Sequence, residues 1–468
     1  MINNKWKHVE LPFGNGRVKI KAPPHADALK LVHCAALADP EKTIENSLRH
    51  PIASPSLAEI TRQKVRANKN AQAVIVVSDN TRPVPYKGSS GILEPIIKIL
   101  SKKGIKNLNI LVANGTHRAL DEAELKKFLP DRIFAGDIRV INHLCREKHE
   151  LRLIGKTPRG SEIWINRHYL DADIKILTGL VEPHFMAGFS GGRKSICPGL
   201  IGEASTYIFH GPQLMADQYS DSLNLKKNPC HEESLAMARA AGADFMVNVT
   251  LNGENRVTGV FAGDMEKAHL AAIAKVKNDN AIGIAHEYDL VITHAGFVGI
   301  NHYQAAKAAV EAAKAVKRGG TIILLANNTD KDPVGSSNYK AVLPLLRRLG
   351  PDGLNARLGS NAWAFIPEQW EVQMWARVLK KLGSCGKLIY CSPQLTGPDF
   401  EADGLPGTDG GSGLEISKDT DTAEIAQSMA QRAIEEFYAE NTKGRIAILE
   451  EGPYGVPFLK KTPKRTID

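Results

Sequence analysis

Three short segments place acids, histidines and arginines directly after runs of β-branched residues. AVIVVS (73–78) leads into Asp79-Asn80-Thr81-Arg82-Pro83, and LNILVA (108–113) into Asn114-Gly115-Thr116-His117-Arg118. DIKILT (173–178) leads into Gly179-Leu180-Val181-Glu182-Pro183-His184. Ligands of open α/β sheets bind outside the carboxyl ends of the strands. Read as strands, the three runs deliver an Asp/Arg pair, a His/Arg pair and a His to one sheet edge. Each residue alone has an ordinary reading. Asp79 before Pro83 suits a turn, and one histidine among 15 suits a hydrogen-bonded structural role. Their convergence at equivalent positions points to a site.

The densest signal follows at once. Gly188-Phe189-Ser190-Gly191-Gly192-Arg193-Lys194-Ser195 is a glycine-rich loop ending in two cations. It fails the phosphate-loop pattern GxxxxGK(S/T) by one position, where Arg193 replaces glycine, and no Mg²⁺-binding partner follows. Gly191 and Gly192 still let backbone N–H groups approach a phosphate. Lys194 could pair with that phosphate or serve as a covalent attachment point. His210 stands 16 residues beyond Lys194 without an HExxH or HxH partner, which alone is a weak metal signal.

Further on, His302-Tyr303-Gln304-Ala305-Ala306-Lys307 opens an Ala-rich helix. Gln304 and Lys307 are spaced i,i+3 and share a face, an arrangement suited to a carboxylate by charge and helix dipole together. An ordinary solvated face fits the same spacing. Trp370 and Trp375 lie on one expected helix after Pro367, with Trp375 suited to a core and Trp370 to the border of a ligand.

The elements that must position these groups are legible as alternating strands and helices, the pattern of βα units with mainly parallel sheets. Besides the three strands above, DLVIT (289–293), GTIILLA (320–326) and GKLIYC (386–391) form a second group. A helix is expected from Tyr303 to Arg318, stopped by Gly319-Gly320. GRVKIKAP near the start alternates as a half-exposed edge strand, and RIAIL (445–449) is a further strand. GLPGTDGGSG (404–413) has five glycines in ten residues and reads as a mobile surface loop. We expect an N-terminal α/β domain over 1–278, a C-terminal α/β domain over 279–440, and a segment 441–468 whose strand could join either sheet, a return to the N-terminal domain among the options.

Composition excludes several classes. At 468 residues, 43% apolar and 24% charged, the chain is globular and too long for a single core. A net charge of +9, from 60 Lys and Arg against 51 Asp and Glu, is a mild excess without a basic arm, so no nucleic-acid partner is expected. The basic tail Leu459–Asp468 reads as a solvated end. No uninterrupted apolar run reaches about 18 residues, so no membrane span is expected. The N-terminal run has no apolar segment with a cleavage pattern, so a cytoplasmic location is expected. The six cysteines are scattered and form no CxxC.

DNTRPVP (79–85), GTHR (115–118), EPHFMAGFSGGRKS (182–195), His210, YQAAK (303–307) and PEQW (367–370) together resemble the nickel-dependent lactate racemase family. The resemblance runs in order from about residue 40 to 455. It implies two α/β domains with an active-site cleft between them, and an isomerase, a racemase or epimerase of a 2-hydroxy acid. It also implies nickel held in pyridinium-3,5-bisthiocarboxylic acid mononucleotide, the nickel-pincer nucleotide. Carried over by position, Lys194 would tether that cofactor through a thioamide, and His210 would be the protein's nickel ligand. His117 and His184 would be the paired acid/base residues. Asp79, Asn80, Thr81 and Arg82, with Gly191 and Gly192, would contact the cofactor. Arg82, Tyr303, Gln304, Lys307 and Trp370 would contact the substrate.

The implied chemistry gives these residue types a reason. The C–H beside a carboxylate and a hydroxyl is a poor acid and leaves more readily as hydride. One base takes the hydroxyl proton while hydride moves to the electron-poor pyridinium. The planar 2-oxo acid then receives hydride on its other face. Each enantiomer presents its hydroxyl on a different side, so two bases poised near neutral pH are needed, a role for histidine. Of the cations, Arg82, Arg118, Arg193, Lys194 and Lys307 are expected around the anionic cofactor and substrate. Asn80 stands where the family commonly has His, and Thr116 where it has an aromatic residue. These differences leave the 2-hydroxy acid open. A sugar-acid epimerase with the same cofactor and a non-catalytic nickel-nucleotide binding protein are the alternatives. Cofactor maturation enzymes are implied partners, and a homo-oligomer is left open.

Overall fold

A computed structural model describes residues 6–31, 34–136, 138–415 and 419–460. The chain divides into two compact units, one of His33–Asp279 and one of Met1–Val32 with Asn280–Asp468.

In the His33–Asp279 unit, a six-stranded sheet runs in the order Val257–Gly263, Phe245–Leu251, Ile174–Leu180, Gln72–Ser78, Asn107–Ala113, Arg139–Asn142. All neighbours pair parallel except the Phe245–Leu251/Val257–Gly263 hairpin. The central strands are continuous apolar runs because helices cover both faces of a parallel sheet; Val74 through Val77 are all fully buried. Helix Leu57–Ala67 starts at a capping box of Ser56 and Glu59. With helix Leu93–Lys102 it packs Ile60, Ile96 and Leu100 against Ile75, Ile110 and Ile176. Register sets the site. Ser78 pairs with Ala113 and Val76 with Leu177, so the three expected strands end level at one edge.

The other unit holds a fully parallel sheet in the order Thr408–Asp409, Leu388–Cys391, Val316–Leu325, Tyr288–His294, Ile446–Leu449, Asp27–Leu29. Helix Thr422–Glu440 covers one face together with the hairpin Lys7–Phe13/Gly16–Ala22. Helices His302–Ala315, Ser337–Leu358 and Gln369–Leu382 pack beside one another within this unit.

Several expectations are corrected. The first segment belongs with the C-terminal unit, because the alternating residues Leu11, Phe13, Val18 and Ile20 bury against that unit's sheet. The segment after 440 stays there too, since Ile446–Leu449 inserts between Tyr288–His294 and Asp27–Leu29. The Ala-rich helix ends at Ala315, and Val316–Leu325 is strand through Gly319, whose φ of +75° glycine adopts without strain. The glycine-rich 404–413 segment is partly built in: Leu405 is buried and Thr408–Asp409 forms the sheet edge. Of the basic tail, residues 461–468 lie outside the described residues. No helix among the described residues is long and apolar enough to cross a membrane. The six cysteines are free thiols.

Candidate active site

Asp79 leaves the end of its strand only 6% exposed. Its Oδ1 accepts from Thr81 N and Oγ1, at 3.2 and 2.6 Å, and its Oδ2 lies 2.6 Å from His117 Nδ1. Burial by itself raises the Asp79 pKa, but the His117 hydrogen bond and charge, Thr81 and Arg82 outweigh it and hold the carboxyl below its ordinary range. His117 reaches this position through a tight turn. Gly115 takes a φ of +57° and donates to Gly199 O at 3.1 Å, and His117 N donates to Asn114 O at 2.9 Å. The carboxylate on Nδ1 fixes the tautomer and leaves the Nε2 lone pair able to accept a proton.

His184 sits in the short antiparallel pair Pro183–His184/Gly188–Phe189. Its Nδ1 accepts from the Met186 and Ala187 amides at 3.3 and 3.2 Å, and its Nε2 lies 2.9 Å from Lys194 Nζ. Lys194 also stands 5.6 Å over the Phe209 ring. Burial, with the charges of Arg82 and Arg193, pushes the Lys194 amine down to about 7.

The glycine loop is held from beneath. Gly192 N donates to Asn248 Oδ1 at 2.8 Å, and His269 Nε2 lies 2.9 Å from Ser190 O. Gly192 has a φ of +52°, and a Cβ there would fall 2.4 Å from His269 Cγ. Glycine is therefore required by both conformation and space. Arg193 is 1% exposed and donates to Phe189 O at 3.2 Å and Ala187 O at 2.7 Å. It pins the loop, and its charge acts on Lys194. Arg118 likewise turns to Glu124, with Nη1 at 2.8 Å from Oε2. Arg82 Nε pairs with Glu182 Oε1 at 2.9 Å. Asn80 and Arg82 line a cavity of about 250 Å³ with Pro83, Val84, Glu124, Lys127 and Phe128.

His210 closes helix Glu203–Phe209, its N donating to Thr206 O at 2.8 Å. Burial foremost, then the charges of Lys194 and His117, lowers its pKa well below the ordinary value, so the imidazole is neutral. Neutral imidazole is the form that binds a metal. Among the described residues no group of three His, Cys, Asp or Glu could hold a metal ion. This donor set fits a metal that arrives with its other ligands in a cofactor. It does not fit an all-protein cage.

In the other unit, Asn301 caps helix His302–Ala315, its Oδ1 accepting from Gln304 N at 2.9 Å. Tyr303, Gln304 and Lys307 are half-buried, and the Tyr303 hydroxyl accepts from Trp370 Nε1 at 3.0 Å. His302 instead points into the core, 2.8 Å from the Tyr339 hydroxyl and stacked on Trp375 with centroids 4.5 Å apart. Glu371 is 1% exposed and pushed up to about 8 by burial, against the opposing charge of Lys307.

The strand-end residues His117 and His184, the loop residue Lys194 and His210 thus belong to one unit, linked by direct contacts or by charge. The sequence assigns Asp79 to the cofactor and does not reveal its contact with His117, nor the parts played by Glu182, Asn248 and His269. The first was within reach, because level neighbouring strands bring their trailing residues together. Asn248 and His269 carry no motif; they come from a strand and helix far along the chain.

The family profile described as lactate racemase N-terminal domain matches residues 13–222. The chain is 32% identical over 379 residues to the lactate racemase of Lactiplantibacillus plantarum, covering 79% of this chain and 86% of that protein. It is 31% identical over 378 residues to the lactate racemase of Thermoanaerobacterium thermosaccharolyticum, covering 80% and 86%. The lactate racemase apoprotein structure from the latter organism superposes with a TM-score of 0.80 at 27% identity, over 97% of this chain and 100% of that one. A Thermotoga maritima protein structure shares the fold, with a TM-score of 0.52 at 17% identity, over 88% and 100%. The chain belongs to the lactate racemase family of isomerases.

Proposed function

We propose that this protein racemises or epimerises a 2-hydroxy acid, lactate or a larger relative, with a nickel-pincer nucleotide tethered to Lys194. The observation that carries the reading is the Asp79–His117 pair at 2.6 Å, an orientation device for a base. A protein that only stored the nucleotide would have no use for it. His210, held neutral, is the residue that would ligate nickel. Lys194, its amine pushed down to about 7 and so in large part uncharged at neutral pH, is the residue that would form the tether. When bound, the group supplies a hydride acceptor beside the substrate carbon.

The chain's own residues handle protons and position. His117 Nε2 takes the hydroxyl proton of one enantiomer, while Asp79 stabilises the imidazolium that forms. His184 serves the other enantiomer. For that, its Nδ1 must release the Met186 and Ala187 amides, because an imidazolium carries a proton on both nitrogens. Lys307 pairs with the substrate carboxylate, Gln304 hydrogen-bonds it, and Tyr303 and Trp370 give it a wall. Arg82 is assigned to cofactor and substrate contact, with Glu182 holding its guanidinium in place. Asn80, Thr81, Gly191 and Gly192 are assigned to the nucleotide.

The test is co-expression with cofactor maturation enzymes, followed by intact-mass and metal analysis and a racemisation panel of 2-hydroxy acids. A sulfur-bearing adduct on Lys194, nickel and conversion of one panel member are expected. Protein without adduct or nickel would refute the reading.

A further inference from the structure

The contact between His184 and Lys194 is chemically particular. Two backbone N–H groups, from Met186 and Ala187, point at His184 Nδ1. That nitrogen must accept, so the ring proton lies on Nε2. Nε2 faces Lys194 Nζ at 2.9 Å. An ammonium there would set donor against donor, whereas an amine accepts the Nε2–H.

We infer that His184 has a task before catalysis: it holds the Lys194 amine as a hydrogen-bond acceptor, uncharged and aimed, for attachment of the cofactor. This rests on Lys194 being the tether. The surroundings agree. Arg82 and Arg193 add positive charge near Nζ and the Phe209 ring closes one side, while the thiols of Cys197 and Cys230 act in the other direction without outweighing burial and the arginines. Burial with these charges already lowers the amine's proton affinity, and the Nε2–H selects the same form.

The attachment step balances without a redox partner. The Nζ lone pair forms a C–N bond to a thiocarboxylic acid carbon of the nucleotide. The carboxyl oxygen leaves as water, taking one proton from the amine and one from the thioacid. Sulfur remains as the thioamide. Afterwards Nζ is no longer a basic amine, and His184 is released for turnover.

The test uses apo protein and potassium cyanate, a small reagent that carbamoylates only uncharged amines. Lys194 modification is followed at pH 7 by peptide mass mapping in wild type and His184→Phe, which keeps a ring but removes the N–H. A fall of about fivefold or more at Lys194, with other lysines unchanged, is expected, corresponding to a rise of about one pKa unit from about 7. If His184→Phe does not fold, His184→Asn, too short to reach Nζ, is expected to give the same fall. Equal carbamoylation of wild type and variant would overturn the inference. Co-expression with maturation enzymes separates it from the reading beneath it. Adduct on wild type with little on the variant supports both. Equal adduct on both proteins sinks only this inference. No adduct on wild type sinks the tether and this inference with it.

Discussion

Asp79 and His117 meet through Oδ2 and Nδ1 at 2.6 Å, with the Asp79 side chain 7% exposed and the His117 side chain 58% exposed. The carboxylate is buried at the sheet edge, and the imidazole stands out towards solvent. This geometry follows from strand register. Ser78 and Ala113 are partners, so residues one and four places beyond them share a corner.

Asp79→Asn keeps the shape but lets the amide stabilise the wrong tautomer. Turnover is expected to fall about 10²–10⁴-fold with Lys194 still carrying its adduct, read by chiral product analysis beside intact mass. Acid also acts here. Because the folded-state pKa of Asp79 is depressed, its stabilising contribution is present above the unfolded value and is lost as pH falls through the folded one.

The depressed pKa of Lys194 tilts stability with pH in the same direction, but as a cost of burying the amine rather than as a gain. Its pKa is lowered from 10.5 to about 7, so between those values the unfolded chain binds more protons and apo-protein stability rises with pH. Lys194→Met is expected to remove that part of the slope and to stabilise the apo protein at pH 7, on the order of 1–3 kcal/mol. Chemical denaturation of both proteins at pH 7 and pH 10 gives the comparison. Parallel pH profiles would show that Lys194 is not held uncharged.

Gly192→Ala is expected to cost about 1–3 kcal/mol in stability, since it meets both a positive φ and the His269 ring. The displaced loop carries Lys194, so the fraction of adduct should fall as well. Thermal melting and intact mass read the two effects, and an unchanged melt would contradict the packing described.

Tyr303→Phe removes the acceptor of Trp370 Nε1, a bond of 3.0 Å. A rise in KM of about 3–10-fold with little change in kcat is expected if the pair lines the substrate site and binds ground and transition states alike. Unchanged steady-state kinetics would remove Tyr303 from the substrate site.

Much of the site was legible because parallel sheets put ligands at strand ends, and those ends are recognisable in β-branched runs followed by Asp79, His117 and His184. The glycine loop was equally plain, since Gly191-Gly192-Arg193-Lys194 is dense in unusual composition. What escaped reading depends on distant partners. Arg193 looks like a ligand cation in one dimension, yet it donates to the carbonyls of Ala187 and Phe189, a role visible only once the loop folds back. The placement of the first segment was equally hidden. Hairpin patterning reveals an apolar face in Leu11, Phe13, Val18 and Ile20, but not which sheet receives it. Val316 belongs to a strand because the helix-favouring alanines stop at Ala315 and Val316 pairs with Tyr288, ahead of the Thr321–Leu325 run that pairs with Leu290–His294.

The most direct measurement is turnover of single-enantiomer 2-hydroxy acids deuterated at C2, lactate included, by the cofactor-loaded enzyme in ordinary water. Chiral separation with mass detection follows each product. The account predicts the opposite configuration at C2 with deuterium retained there, because hydrogen leaves and returns as hydride while His117 and His184 exchange only the hydroxyl proton. Inverted product that has lost its deuterium to solvent would mean proton abstraction at carbon and would contradict the account.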